Sequence, residues 1–272
     1  QRNSDHRRAI VRQQSDHTRG PRQRHHRHPC RHGQSLCPAS RPTVPLSHHR
    51  PYPMRQILLH TGRENSRRQS RPLFRDQYDD FCEHLIVIDH TEEVIAGTYR
   101  FVRKEHLINT DLFITEHEYD LTLLKPYRIM ELGRAVVRKE YRSGAVIMLL
   151  WRGIFEYAKR NNIQYMFGTA SFNGLNVRDY EHGLSYLYYH HLSKFAIPAL
   201  GENPLKLNIL PLEEVDEGLA KRQLPPLVKG YLRIGAKFGP DIFFDYPFNS
   251  IDVLVIMDVD EFDPKWLKKI VG

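Results

Sequence analysis

The first 72 residues of the chain contain no lysine, and their only acidic residues are Asp5, Asp16 and Glu64. Sixteen arginines and nine of the 16 histidines fall in the same segment, which gives it a net charge of +13. The segment also lacks a periodic apolar pattern, so it cannot bury enough surface to offset the entropy cost of ordering it. The sequence therefore predicts disorder in residues 1–72 and a folded domain in residues 73–272.

Several interpretations compete for the arginine-rich segment. A tail for nucleic acid or anionic lipid, a metal tract using Cys30, Cys37 and the histidines, and a transit peptide each fit part of it. The two cysteines are too far apart for a C-x-x-C hook, and a transit peptide should be serine-rich and amphipathic. Arginine without lysine, with an abrupt change near residue 73, favours translation of an upstream region out of its reading frame.

Residues 73–272 lack three further features. Their 24 lysines and arginines stand against 29 acidic residues, a net charge of −5, which excludes nucleic-acid binding driven by net positive charge. Cys82 is the only cysteine there, so no disulfide framework is possible and a reducing cytosolic compartment fits. No apolar run reaches the roughly 18 residues of a membrane span.

Apolar runs and turn residues in this part predict an α/β fold, with a mixed sheet flanked by helices on both faces. A hairpin with strands at 85–89 and 94–102 is expected first, followed by a helical piece near 113–124. The other expected elements are strands at 129–137, 164–172 and 251–257, and helices from 145, at 184–195, at 224–238 and at 264–271.

The stretch from residue 127 to 158 is the most informative, because it is typical of a strand, a short basic turn and a helix. Ser143 can cap the helix. Free backbone N–H groups at such a helix start bind an anion such as a phosphate well. A plain strand-turn-helix that binds nothing is the alternative.

Two charged residues, Glu131 and Arg134, lie inside the apolar strand of this stretch. Charged groups are rarely buried unless they are paired or used. Residues three apart point to opposite faces of a regular strand, so a cleft shared by both side chains would require a β-bulge between them.

Several short motifs follow one another in a fixed order from about residue 78 to 260, and through them the chain resembles a known family. The motifs are Asp79-Asp80-Phe81-Cys82-Glu83-His84-Leu85, Gly97-Thr98-Tyr99-Arg100, Glu131-Leu132-Gly133-Arg134-Ala135, Tyr141-Arg142-Ser143-Gly144-Ala145, Phe167-Gly168-Thr169-Ala170-Ser171 and Leu224-Pro225-Pro226-Leu227-Val228. They resemble the GNAT-superfamily acyltransferases, specifically the bacterial L-ornithine N-alpha-acyltransferases that make lyso-ornithine lipid. A more distant resemblance is to the acyl-homoserine-lactone synthases.

The resemblance implies a GNAT-type fold and an N-acyltransferase that moves a long, 3-hydroxylated acyl chain from acyl carrier protein to the α-amine of ornithine or a similar amino acid. It implies no metal and no cofactor beyond the carrier's 4′-phosphopantetheine thioester, which is a co-substrate. Two departures stand out. The turn at 142–147 has bulky residues where members that use acetyl-CoA have glycines, which suits a carrier protein, and residues 1–72 show no counterpart of the family's first strand and helices.

Catalytic roles follow from the same resemblance. Attack on a thioester requires a neutral amine, and Glu131 is expected to take its proton. The alternative for Glu131 is a structural carboxylate paired with Arg134 or Arg100. Tyr186, or its neighbours Tyr188 and Tyr189, is expected either to protonate the leaving thiolate or to pack in the core.

Binding roles are implied for two further groups. Arg142 and the N–H groups of Ser143, Gly144 and Ala145 are expected to hold the pantetheine phosphate, and the strand backbone to hold the oxyanion. Arg100 or Arg134 is expected to bind the carboxylate of the acceptor. The acidic cluster of Asp79, Asp80 and Glu83 is expected either to bind its side-chain ammonium or to be merely solvated.

Lys229, Arg233 and Lys237 follow one another at intervals of four, so they share one face of the helix predicted at 224–238. This face suits acyl carrier protein, an anionic bilayer at the inner face of the membrane, or solvent. Three other hypotheses for the whole chain stay open: an acyl-homoserine-lactone synthase, a non-enzymatic nucleic-acid-binding protein that acts through residues 1–72, and an inactive remnant.

Overall fold

The computed structural model describes residues 76, 78, 79, 81–107 and 112–262, together with the backbone of residues 54–61. Strands in this part form one sheet with the order β1-β2-β3-β4-β5-β7-β6. They are β1 (Met54–Thr61), β2 (Glu83–Asp89), β3 (Val94–Arg103), β4 (Ile129–Val137), β5 (Tyr165–Asn173), β6 (Lys237–Asp245) and β7 (Ser250–Asp258). The pairing of β4 with β5 is parallel, and the other neighbours run antiparallel.

Strand β1 lies inside the segment for which we expected disorder and no first strand. It pairs with β2 from Met54 opposite Asp89 to Thr61 opposite Glu83. As an edge strand, β1 needs only one neighbour for its backbone hydrogen bonds. It was not predicted because the apolar run of Ile57, Leu58 and Leu59 lacks the alternation of apolar and polar residues that indicates a strand. The expectation of a missing first strand is therefore corrected. The interpretations of residues 1–53 fall outside the described residues.

Strands β4 and β5 separate after a short contact. Their ladder joins Ile129–Glu131 to Tyr165–Phe167 and ends there. The next residue of β5, Gly168, passes so close to β4 that a Cβ atom on it would lie 2.3 Å from the carbonyl oxygen of Leu132. Only glycine permits this approach. Beyond this point β4 has no ladder partner in β5, and a cleft opens between the two strands.

Strand β4 also contains the β-bulge that the sequence analysis required. On β3, Thr98 and Arg100 are two residues apart, but their partners on β4, Val136 and Gly133, are three apart. Arg134 lies between those partners and has a positive φ of 49°. The extra residue turns the side chain of Arg134 toward the same cleft as Glu131.

The helices are α1 (Ala145–Arg160), α2 (Glu181–His191), α3 (Glu217–Gln223) and α4 (Pro226–Arg233) in the described part of the chain. Buried side chains of α1, α2 and α4 join one core cluster with one face of the sheet. The other face carries a second cluster, covered by the 3₁₀ helices Ile114–His117 and Leu121–Leu123 and their flanks. The predicted mixed α/β sheet with helical segments on both faces is confirmed.

Two predicted helices differ from the structure. The piece near 113–124 consists of the two 3₁₀ helices, and the helix predicted at 224–238 ends at Arg233. Gly235, with a φ of 91°, terminates α4, and the N–H of Ala236 donates to the carbonyl of Tyr231 at 3.0 Å. Lys237 consequently belongs to β6, so it does not share a helix face with Lys229 and Arg233. The closing helix predicted at 264–271 lies outside the described residues.

The described helices are all too short or too polar to cross a membrane.

Candidate active site

The cleft between the diverging strands has a volume of about 530 Å³. Its walls combine β4 with polar residues of β5 and β7 and with the segment that contains the 3₁₀ helix Ile114–His117. Polar and charged lining residues include Asp76, Arg100, Thr115, Glu118, Glu131, Arg134, Thr169, Ser171, Asn173, Asp245, Ser250 and Asp252. Apolar residues such as Phe101, Val102 and Leu132 complete the lining, and a cleft of this size that combines apolar surface with convergent polar groups is a candidate substrate site.

Glu131 lines the cleft but is only 4% exposed. Its Oε1 accepts hydrogen bonds from the N–H of Thr115 at 2.7 Å and from the Thr115 hydroxyl at 2.6 Å, and its Oε2 accepts from the N–H of Ile114 at 2.8 Å. Burial raises the pKa of Glu131, although these hydrogen bonds act in the opposite direction. The carboxylate therefore anchors the 3₁₀ helix that covers the cleft. Its role as a base stays a prediction.

Arg100 and Arg134 meet at a carboxylate that the sequence analysis did not name. Asp76 accepts from Nη1 of Arg100 with both oxygens at 2.9 Å and from Nη2 of Arg134 at 2.7 Å. Asp79 accepts from the same Nη1 of Arg100 at 2.9 Å. Asp76, Arg100 and Arg134 line the cleft, and we call this group of four its cationic end after the two guanidinium groups, whose charge Asp76 and Asp79 balance. Because Arg100 is 4% exposed, it depends on these two carboxylates to remain charged in the interior.

Ion pairing at the cationic end also affects ionisation. Burial acts to raise the pKa of Asp76, but the hydrogen bond and charge of Arg100 outweigh it and hold that pKa below its usual value. For Arg100, burial acts to lower the pKa, and its bonds to Asp76 and Asp79 raise it overall. Asp76 and Arg100 are thus suited to stay ionised near neutral pH.

Two of the predicted site residues lie away from the cleft. Glu83 is buried on β2, with its Oε1 3.8 Å from Nε2 of His106. Tyr186, on α2, packs its ring against those of His190 and His191 at centroid distances of 4.8 and 5.3 Å. Neither residue is among those that line the cleft. Asp80 lies outside the described residues.

The predicted phosphate turn begins α1, but Gly144 takes the N-cap position that we expected for Ser143. Gly144 has a φ of 102°, which glycine adopts far more easily than serine. Among the described residues no side chain caps the first turn of α1. The first N–H groups of this 16-residue helix therefore keep the capacity to bind an anion. The exposed Arg142 lies beside them, with its Nε donating to the carbonyl of Val137 at 3.0 Å.

Cys82 also lines the cleft. Burial raises the pKa of its thiol to about 12, with smaller effects from the neighbouring charges. A thiol that keeps its proton is a poor nucleophile. The arrangement therefore does not favour a covalent acyl-cysteine intermediate.

Three carboxylates that the sequence analysis missed form the acidic end of the cleft. Oxygen atoms of Glu118, Asp245 and Asp252 lie within 4.8 Å of one another. Burial, and then the charges of Asp252, Asp245 and Glu131, raise the pKa of Glu118 to about 8. The pKa of Asp252 is also raised, by burial and by Asp245, despite bonds from serine hydroxyls. Carboxylates are ligands of Mg²⁺ and Ca²⁺ as well as of organic ammonium groups, and proximity alone identifies no metal site here.

One of these residues carried a detectable signal in the sequence. Asp252 lies inside the apolar run of β7, as Glu131 lies inside that of β4, and it is only 4% exposed. Applying the same criterion to both strands would have found it. Glu118 follows a 3₁₀ helix and has no comparable periodic context.

Residues 58–152 match the family model described as an acetyltransferase (GNAT) domain. A curated L-ornithine N(alpha)-acyltransferase from Brucella abortus is 35% identical over 203 residues, which cover 71% of this chain and 72% of that protein. The enzyme of the same name from Rhodobacter capsulatus is 32% identical over 197 residues, 70% of this chain and 76% of that one.

Solved structures give a weaker likeness. The CoA-dependent acyl-homoserine lactone synthase BjaI is 12% identical to this chain, with a TM-score of 0.40 over 74% of this chain and 69% of that one. The N-acyl amino acid synthase FeeM from uncultured soil microbes is 11% identical, with a TM-score of 0.39 over 69% of this chain and 75% of that one.

Proposed function

The chain belongs to the L-ornithine N(alpha)-acyltransferases, a family of GNAT acyltransferases, and from this premise we propose that it acylates the α-amine of L-ornithine with a 3-hydroxyacyl chain carried by acyl carrier protein. The chain is an acyltransferase. The proposed product is a single-chain ornithine lipid. The observation that carries the proposal is the cleft at the β4–β5 divergence, with a cationic end and an acidic end.

The donor side of the proposal rests on the start of α1 and on the open edge of β4. The uncapped helix start, with Gly144 at the N-cap and Arg142 beside it, suits one phosphate of phosphopantetheine. The pantetheine arm would then enter between β4 and β5, where the ladder has ended. Backbone N–H groups of β4 on that side are available to a thioester oxyanion.

The proposed carrier contact uses basic residues of α4. Lys229 and Arg233 share a face of α4, and Arg233 is exposed. Acyl carrier protein is the occupant we propose for this face, and a peripheral contact with an anionic membrane is the competing proposal. The two are separated by adding anionic vesicles to the transfer assay described below.

The acceptor side rests on the separation of charge along the cleft. An amino-acid carboxylate suits Arg134, which is one-third exposed and already contacts the Asp76 carboxylate. The acidic end supplies negative charge that suits a cationic amino acid over a neutral one. Asp79, predicted to bind the side-chain ammonium, instead bonds to Arg100, and we no longer assign it that role.

The direct test is transfer in vitro with the full chain. A 3-hydroxyacyl chain on acyl carrier protein is supplied with L-ornithine, and N-acylornithine is measured by mass spectrometry. The same chain on CoA tests the donor, and S-adenosylmethionine tests the acyl-homoserine-lactone alternative. Product from the carrier thioester and ornithine supports the proposal. Absence of N-acylornithine with both donors contradicts it.

A matched pair of variants tests the acceptor site. Arg134→Ala should raise the KM for ornithine about tenfold or more, because a charge-assisted bond to the acceptor carboxylate is lost. Arg178→Ala removes an exposed arginine that pairs with Glu181 at 2.9 Å and is not itself a lining residue, so it should leave the KM unchanged. Equal effects of the two substitutions would remove Arg134 from the site.

A further inference from the structure

Glu118 is a half-buried carboxylate in the cleft, and the function proposed above gives it only a share in the negative charge of the acidic end. Its backbone is held at both ends, because its N–H donates to the carbonyl of Thr115 at 3.0 Å and its carbonyl accepts from the N–H of Leu200 at 2.7 Å. Its side chain lines the cleft. We propose that Glu118, and not Glu131, is the catalytic residue that takes the proton from the α-ammonium of the acceptor, an inference that rests on the proposed acyl transfer.

The two glutamates differ in their free hydrogen-bonding capacity. Glu131 receives three hydrogen bonds, which occupy three of the roughly four lone-pair sites of its carboxylate and leave one on Oε2. The Oε2 atom of Glu118 is buried and has no hydrogen-bond partner among the described residues. A buried acceptor without a partner is costly unless a ligand supplies the donor. An ammonium N–H is such a donor.

The surroundings of Glu118 adjust its ionisation. The charged groups that face it are Asp252 on β7, Asp245 on β6 and Glu131 on β4. All three are carboxylates, so they disfavour its charged form and, with burial, raise its pKa to about 8. A general base is most effective when its pKa lies near the working pH, and this value meets that condition.

The ionised Glu118 carboxylate takes one proton from the α-ammonium and leaves a neutral amine. The amine nitrogen attacks the thioester carbonyl carbon, the C–N bond forms, and the C–S bond breaks. The second proton leaves the amide nitrogen and protonates the thiolate of the pantetheine arm. The products are the amide, the free thiol and protonated Glu118, which returns its proton to solvent.

The first experiment compares Glu118→Gln with the parent chain in the transfer assay. We expect kcat to fall by about 100-fold or more, with the KM for ornithine within about threefold of the parent, because glutamine keeps the shape but cannot take a proton. A KM rise with an unchanged kcat would show that Glu118 only binds an ammonium and would overturn the inference. Unchanged values of both constants would overturn it as well.

The second experiment measures the pH dependence of kcat. In the parent chain kcat should rise about tenfold per pH unit up to about pH 8 and then level off. Asp245→Asn removes one neighbouring charge and keeps the oxygen that accepts from the N–H of Phe248, so the rise should move to lower pH. A profile that does not move would contradict the role of Glu118. If the parent chain forms no N-acylornithine at any pH, the proposed function itself fails, which is a different result.

Discussion

Charged groups are paired with opposite charges at the cationic end of the cleft and clustered with like charges at its acidic end. At the cationic end each guanidinium touches a carboxylate at 2.7 to 2.9 Å, and the pKa of Asp76 is lowered. At the acidic end three carboxylates lie within 4.8 Å of one another, and the pKa of Glu118 is raised to about 8. Paired charges stabilise a fixed arrangement, whereas clustered like charges are ready to accept a proton or a cation.

The contrast explains why the two ends suit different tasks in one reaction. The ion pairs of the cationic end hold its side chains in a fixed arrangement, and the one-third-exposed Arg134 can there hold a further carboxylate in a defined place. An unpaired acidic end changes its protonation near neutral pH. This difference predicts that substitutions at the cationic end act mainly on stability and acceptor binding, and that those at the acidic end act mainly on pH dependence.

Arg100→Ala should have the largest effect on stability. It leaves Asp76 and Asp79 beside an empty buried position, and breaking a buried ion pair costs about 3 kcal/mol. Urea unfolding measures the loss. As a control, Arg178→Ala breaks an exposed pair and should cost less than about 1 kcal/mol. Similar costs for both variants would show that the cationic end does not behave as a buried network.

Glu131→Gln should have the next largest effect. Glutamine has one side-chain oxygen where glutamate has two. The buried N–H of Ile114 or of Thr115 therefore loses its acceptor, at a cost of about 2 kcal/mol. We expect lower stability by urea unfolding and lower activity, while the pH dependence of kcat persists and moves slightly to lower pH, because one of the carboxylates that raise the pKa of Glu118 is neutralised. A pH profile that flattens in Glu131→Gln, but not in Glu118→Gln, would assign the base to Glu131.

The acidic end should make stability depend on pH. Glu118 has a folded-state pKa of about 8 against an ordinary value of 4.5, so its stabilising contribution is fully present below pH 4.5 and is lost as the pH rises through about 8. The steepest loss should be about 1 kcal/mol per pH unit. Unfolding free energies of the parent and Glu118→Gln, measured from pH 5 to 9, test this, because the glutamine variant should lose that slope. Parallel curves would contradict it.

The sequence predicted the site best where a charge interrupted an apolar strand. Glu131 and Arg134 do line one cleft, and the required bulge is present at Arg134, because an isolated buried charge must find a partner or a ligand. Asp76, by contrast, was missed because it lies before the acidic motif in a segment without a regular pattern. The contact that pairs it with Arg100 and Arg134 arises only in the folded chain.

Strand β6 shows why part of the fold was not predicted. Gly239 and Pro240 interrupt its sequence, and both are typical of turns and helix ends. The structure accommodates them through a register shift between Phe238 and Ile242, a position where a strand tolerates proline. Asp245, at the end of this strand, was for the same reason not predicted as a site residue. Glu118 joins Asp245 and Asp252 only because β6 and β7 pair, which no local pattern indicates.

Asp76→Asn should have the smallest effect and is the sharpest test of the cationic end. The Asp76 carboxylate bonds to Arg134, where the carboxylate of the acceptor amino acid would also bind. Removing the charge of Asp76 should therefore lower the KM for ornithine about two- to threefold. Arg100 keeps its bond to Asp79, which limits the stability cost to about 1 kcal/mol. Initial rates over a range of ornithine concentrations measure the change. An increase in KM would mean that Asp76 holds Arg134 in place for the acceptor and does not compete with it.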